Sequence, residues 1–464
     1  MQFSSASFLI LFLPGIMLVY YAGRKNLVYK NVVLLFGSLF FYAWGEPLFV
    51  FVMCGSIMVN YCFGRLLSVR KYRKTVLIIS VLFNLGILFI FKYLSFVTEL
   101  LSGVVNIKIC QITLPIGISF FTFQMMSYIF DVYYGKAKIQ KNIVSLALYI
   151  TMFPQLVAGP IVRYQSVENR IRERHETLLD FEYGIRRFAI GLSKKILLAD
   201  FLGVIAERIF GEMENMSGAG VTAWLGAIVY TLEIYYDFSG YSDMAIGLGR
   251  CFGFHFKENF RYPYAAESIT EFWKRWHISL TDWFRDYVYI PLGGNRVSVK
   301  RHVWNLLVVW TLTGIWHGAN WTFLIWGLIY FVFQVMEKYL YDVRKSPPRF
   351  LRRMYTLLIV TVNWVIFRSS NLTCAVRYLK SMFFGWTEFW DGRFILYMRN
   401  GAVILVIAMI GCLPIKEFAL RRLPKVKDNI LVNGMIELGI VVSFILSVLI
   451  SVNGMYSPFI YFNF

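Results

Sequence analysis

Residues 303–336 read VWNLLVVWTLTGIWHGANWTFLIWGLIYFVFQVM, thirty-four positions in succession without Asp, Glu, Lys or Arg. A helix rises about 1.5 Å per residue, so an unbroken helix of this length would reach roughly 50 Å, well past the ~30 Å hydrocarbon core of a bilayer. The run is therefore expected to break, and Gly314 and Gly318, which flank His317, mark the place. Non-helical backbone at membrane depth is tolerated only where protein buries it or where it lines a cavity. A histidine at such a break is a functional-site candidate by default. The plainer alternative is a neutral ring satisfied by a neighbouring carbonyl.

Composition extends this reading to the whole chain. Hydrophobic residues make up 58% of the 464 positions and charged residues 16%, against about 25% charged in a soluble domain. The expectation is one all-α polytopic membrane domain over residues 1–464, with room for roughly ten to thirteen spans. The net charge of +20 sits in short loops between apolar segments, which suits anionic membrane lipid and not nucleic acid. The six cysteines show no metal-type spacing and read as small core hydrophobes, so neither a disulfide framework nor a metal site is expected. Ser7 to Ala22 lacks a basic region in front of it and reads as an uncleaved first span.

Five early spans are expected near 5–22, 31–45, 47–63, 75–95 and 113–134. Three alternate loops between and after them hold Arg24, Lys25, Lys30, Arg65, Arg70, Lys71, Arg73, Lys74, Lys136, Lys138 and Lys141, while the intervening stretches add only Lys108. The positive-inside rule then places these loops in the cytoplasm and the N-terminus outside. Residues 142–162 are apolar but contain Pro154, Gly159 and Pro160, and a basic stretch from Arg163 to Lys195 follows. Basic loops on both sides point to a re-entrant element, the alternative being a true span with one mis-sided loop. Residues 255–301 are too polar to span and too aromatic for a free linker, which fits an interfacial or re-entrant cap. Later spans are expected near 352–368, 401–415 and 430–452, with the basic patch Arg421 to Lys427 in the cytoplasm.

Three constellations invite chemistry. Glu271 to Asp286 collects Arg275, His277, Asp282, Arg285 and Asp286 among Trp273, Trp276, Trp283 and Phe284. Read as one helix, Trp273, Trp276, Leu280 and Phe284 form an apolar stripe with His277 one position off it. The charged residues there read either as a membrane-surface ion-pair network or as a surface for a nucleotide thioester with several phosphates. Pro291 to Arg296 reads as a tight turn whose Gly293 and Gly294 supply positive φ. Glu233, Asp237 and Asp243, in the apolar 221–249 segment, should face the interior and pair with Arg250, Lys257 or Arg261. Residues 235–243 look like a broken or kinked helix. Of the five histidines, His175, His255 and His302 sit in charged loops or at segment edges, which leaves His277 and His317. A buried histidine stays neutral and able to accept a proton.

These residues carry a resemblance. Gly240 to Gly247, Glu258 to Tyr264, Glu271 to Leu280, Phe284 to Tyr287, Pro291 to Arg296, Trp316-His317-Gly318 and the ending Ser457 to Phe462 resemble the membrane-bound O-acyltransferase family, in its bacterial polysaccharide O-acetylating branch. The resemblance implies a bundle of about 11–13 helices with re-entrant segments and a central tunnel. It implies an acetyl-CoA donor entering from the cytoplasm, His317 as the essential catalytic residue and His277 as its supporting partner. Arg275, Arg285, Asp286, Trp276, Trp316 and Asn320 are the expected substrate contacts. It further implies the bacterial inner membrane, a polysaccharide acceptor outside it, and a separate esterase-like extracytoplasmic O-acetyltransferase as partner. Two other readings stay open: D-alanyl transfer towards teichoic acid from a carrier protein, and a secondary transporter.

Overall fold

The computed structural model describes residues 1–464 apart from 106–108, 111, 216–218, 342–346, 386–390, 416–417, 419–421, 423–428, 455–457 and 461–464. Among the described residues every regular element is helical. Within the described residues, seven helices are long and apolar enough to cross a membrane: Leu27–Gly45, Phe49–Leu66, Arg70–Ser102, Trp321–Leu340, Arg349–Arg368, Gly392–Gly411 and Ile430–Val452. Their exposed Leu, Ile, Val and Phe side chains would be untenable in water and are ordinary in lipid. The chain is a multi-pass helical membrane protein.

Contacts divide it into two compact units: residues 1–188 with 241–258 and 451–463, and residues 189–240 with 259–450. In the first, Asn60 and Asn84 exchange amide hydrogen bonds of 3.1 and 2.8 Å between two spans. Such polar glue works where lipid supplies no hydrophobic drive for helix association. Residues 142–162 form the short helices Ile143–Thr151 and Phe153–Leu156. Neither reaches the ~30 Å of a crossing, and every residue from Leu148 to Val162 is buried. The basic stretch after them, expected as a loop, is instead largely helical, as Tyr164–Arg172 and Leu178–Ser193.

In the second unit the uncharged run folds as a helical hairpin, Val299–His317 and Trp321–Val335. The break falls at Gly318, whose φ of −178° is extended backbone, while Asn320 caps the second helix by accepting from the Thr322 amide at 3.1 Å. Gly314 does not mark a break. A Cβ at Gly314 would lie 2.6 Å from the Phe323 carbonyl oxygen, and one at Gly327 would lie 2.5 Å from that of Trp310. These glycines let two backbones touch.

Two further expectations are corrected. The Gly220–Cys251 helix runs 32 residues without a break at 235–243. Its glycines serve close approach: a Cβ at Gly240 would meet the Gly191 carbonyl at 2.8 Å, and one at Gly247 that of Gly184 at 2.5 Å. Two of its three carboxylates, Asp237 and Asp243, pair with other helices. Asp237 accepts from buried Lys195 at 2.6 Å, Lys195 also reaches Asp200 at 2.7 Å, and Asp243 pairs with Arg187 at 2.6 Å. Arg250 goes to Asp180 at 2.6 Å. The patch Arg421 to Lys427, Arg422 excepted, and Ser457, Tyr461 and Phe462 of the ending lie outside the described residues.

Candidate functional site

Residues 271–286 do not form one helix. The Ile269–Trp273 helix begins at Ser268, whose hydroxyl accepts from the Glu271 amide at 3.0 Å, and Glu337 accepts from the Ile269 and Thr270 amides at 2.6 and 2.9 Å. It ends after Trp273. His277 then adopts φ 43° and ψ 53°, the left-handed region, and caps the Ile278–Phe284 helix. A non-glycine residue there costs energy and is held by its surroundings. Asn259 does the holding. Its carbonyl accepts from the Ile278 amide at 3.0 Å, and its Oδ1 accepts from the Ser279 amide and hydroxyl at 3.1 and 2.9 Å. The same Oδ1 lies 3.2 Å from His277 Nδ1.

An amide oxygen that already accepts two hydrogen bonds assigns the tautomer: His277 carries its proton on Nδ1, and Nε2 bears the lone pair. Burial pushes the His277 imidazole down to about 3, so the ring stays neutral at physiological pH. Phe238 stands edge-on to it at 4.6 Å between ring centres.

His317 ends its helix at the break and is 3% exposed. Aromatic rings wall it in, among them Trp316 and Trp326 at 4.9 Å, Phe367 at 5.2 Å and Phe323 at 6.5 Å. Trp316 also faces His277 at 6.1 Å. The structure thus brings both histidines against one tryptophan. Trp276 joins the same aromatic cluster through Trp364 at 5.0 Å, which in turn stacks on Trp326 at 6.0 Å.

The remaining expected site residues sit differently. Asn320 caps its helix and donates to the Ser370 carbonyl at 2.8 Å. Arg275 pairs with Glu271 at 2.5 Å, and Arg285 with Asp282 at 2.7 Å and Asp286 at 2.8 Å. Those pairs form a local ion-pair network in which Arg285 is half-exposed. Gly293 and Gly294 take φ of 106° and 58°, as the tight turn requires, and Asn305 Nδ2 donates to the Leu292 and Gly294 carbonyls at 3.2 and 3.1 Å. His302 lies between the hydroxyls of Tyr289 and Tyr339 at 2.7 and 2.6 Å, and His255 between Arg170 and Arg250 at 3.3 and 3.1 Å. Sequence reasoning gave Asn259, Ser279, Trp326, Trp364 and Phe367 no role. The available signals were Asn259 in the Glu258 to Tyr264 motif, Ser279 in the Glu271 to Leu280 motif and Trp326 in the uncharged run.

The site thus sets two buried histidines on a shared aromatic wall in a helical membrane protein. The profile of MBOAT, the membrane-bound O-acyltransferase family, matches residues 137–376. The chain belongs to this family and is an O-acyltransferase. It is 40% identical to the probable alginate O-acetylase AlgI of Azotobacter vinelandii, over 92% of this chain and 88% of that one. It is 33% identical to the peptidoglycan O-acetyltransferase of Helicobacter pylori, over 82% and 79%. Identity to the teichoic acid D-alanyltransferase of Bacillus subtilis is 28%, over 54% and 67%.

Proposed function

We propose that the protein takes acetyl from cytoplasmic acetyl-CoA and passes it across the inner membrane for O-acetylation of an extracytoplasmic polysaccharide, with an esterase-like O-acetyltransferase as the outer partner. His317 is the general base. It removes the proton from the acceptor hydroxyl as that oxygen attacks the thioester carbonyl; the C–S bond breaks and the CoA thiolate leaves. A base of this kind contributes typically 10²–10⁴-fold. His277, held neutral with its lone pair on Nε2, supports His317 across Trp316. Trp276 and Trp316 form the apolar wall for the acyl group, Asn320 fixes the turn beside His317, and Arg275 and Arg285, the latter flanked by Asp286, meet the CoA phosphates.

The observation that carries this reading is the placing of His317 at a helix break, buried in an aromatic box and sharing a wall with His277. The acetyl branch is favoured because the alginate and peptidoglycan relatives match far more of the chain than the D-alanyltransferases do. The test uses inverted membrane vesicles containing the full chain, supplied with acetyl-CoA labelled in the acetyl group. Free CoA release with label appearing on the lumenal side supports the proposal. Label supplied only by an acylated carrier protein would assign the D-alanyl chemistry, and no CoA release at all would favour transport.

A further inference from the structure

Trp326 immediately precedes Gly327, where the two backbones of the hairpin touch, and its side chain is fully buried. Its carbonyl accepts from Asn363 Nδ2 at 3.1 Å. The indole packs nearly perpendicular to the rings of His317 at 4.9 Å, Tyr330 at 5.3 Å and Trp273 at 5.6 Å, and lies against Phe367 at 5.2 Å. A side chain enclosed in this way keeps one orientation.

The indole carries one polar group, the Nε1–H, which can donate and cannot accept. Among the described residues it has no acceptor. A buried indole N–H ordinarily finds one, and an unsatisfied group calls for an explanation. That of Trp310, in the same aromatic cluster, donates to Gln334 Oε1 at 3.0 Å, and that of Trp224 to the Met382 carbonyl at 2.9 Å. Trp273 also has an unpaired N–H, but its ring meets Phe272, Trp310, Trp326 and Tyr330, so it stands one ring further from His317. Trp326 therefore brings a fixed, desolvated donor against the imidazole.

Attack on a thioester carbonyl puts negative charge on the carbonyl oxygen, and a preorganised donor at that oxygen is worth most in a water-excluded site. We propose that the Trp326 Nε1–H is the donor that stabilises this oxyanion. The inference rests on the acyl-transfer reading above. As the acceptor oxygen bonds to the carbonyl carbon, the π pair of the C=O bond moves onto oxygen and the indole N–H donates to it. When that pair returns, the C–S bond breaks and its electrons leave with the CoA sulfur, while His317 holds the proton taken from the acceptor. The attacking oxygen must lie about 3 Å from the base and the oxyanion about 3 Å from its donor. Two rings whose centres stand 4.9 Å apart can bracket one carbonyl in that way.

The experiment measures CoA release and acetyl transfer by the full chain in membrane vesicles, with acetyl-CoA as donor. Trp326→Phe should lower kcat by about 10²–10³-fold and leave the KM for acetyl-CoA nearly unchanged, because the lost bond forms only in the transition state. Trp326→3-benzothienylalanine, which keeps the bicyclic shape and replaces the N–H by sulfur, should restore the melting temperature and leave kcat as low. Trp304→Phe, at a site half-exposed outside the aromatic box, should match wild type. A wild-type rate in a folded Trp326→Phe protein overturns the proposal, as does recovery of the rate with the sulfur isostere, which would assign the indole to packing alone. Should Trp326→Phe fail to fold, the isostere decides. Wild-type protein that releases no CoA from acetyl-CoA overturns the acyl-transfer reading and this inference together, whereas an active wild type with an equally active isostere overturns this inference alone.

Discussion

Gly327→Ala should damage the enzyme from a distance. An alanine Cβ at this position would stand 2.5 Å from the Trp310 carbonyl oxygen and 3.3 Å from the Gly314 Cα, both of them backbone of the facing helix. Neither atom can swing aside as a side-chain end would. The hairpin must open by about 1 Å to restore ordinary contact, and overpacking of this kind costs about 1–3 kcal/mol. The facing helix carries His317 at its end, so the opening moves the imidazole relative to its aromatic box. A displacement of about 1 Å can cost on the order of 10²-fold in rate. The assay compares melting temperature in detergent with acetyl-transfer rate in vesicles. Gly434→Ala is the control, since a Cβ there meets nothing within 4 Å, and in a helix that change is neutral or favourable by up to about 1 kcal/mol. Wild-type rate and melting temperature in Gly327→Ala would refute the close-packed hairpin as the device that positions His317.

Asn259→Ala should leave the buried His277 Nδ1–H and Ser279 amide without their acceptor, at about 1–3 kcal/mol each, and lower the melting temperature; an unchanged melting curve would show that Asn259 does not hold the left-handed turn. Arg275→Ala and Arg285→Ala should each raise the KM for acetyl-CoA before they lower kcat, because a contact equal in ground and transition states is lost. Unchanged KM with a collapsed kcat in both would remove these arginines from donor binding. The N-terminus should lie outside and Arg70, Lys71 and Lys138 inside. Labelling of a single cysteine at position 71 by an impermeant reagent in intact cells would reverse that topology.

The break was legible in the sequence because thirty-four uncharged residues make a helix far longer than a bilayer is thick. Which glycine broke the run was not, since a glycine in an apolar segment serves a turn or a close backbone approach equally well. Gly318 does the first and Gly314 the second. The same ambiguity made 235–243 look kinked, when Gly240 and Gly247 accommodate a neighbouring helix. Both histidines stood out through scarcity and position. Their setting did not: Asn259 reaches His277 across 18 residues, and Lys195 reaches Asp237 across 42. The backbone turn at His277 left no trace in the stripe of Trp273, Trp276, Leu280 and Phe284, since all four are buried either way.

The central claim is that His317 is the proton acceptor in acyl transfer. Its most direct test is the His317→Ala protein, purified, checked for melting temperature and acetyl-CoA binding, and assayed for acetylation of the acceptor. Loss of a base worth about 3–5 kcal/mol of barrier should abolish transfer by 10²–10⁴-fold while the bundle stays folded and donor binding is retained. Substantial acetylation by a folded His317→Ala protein would contradict the account.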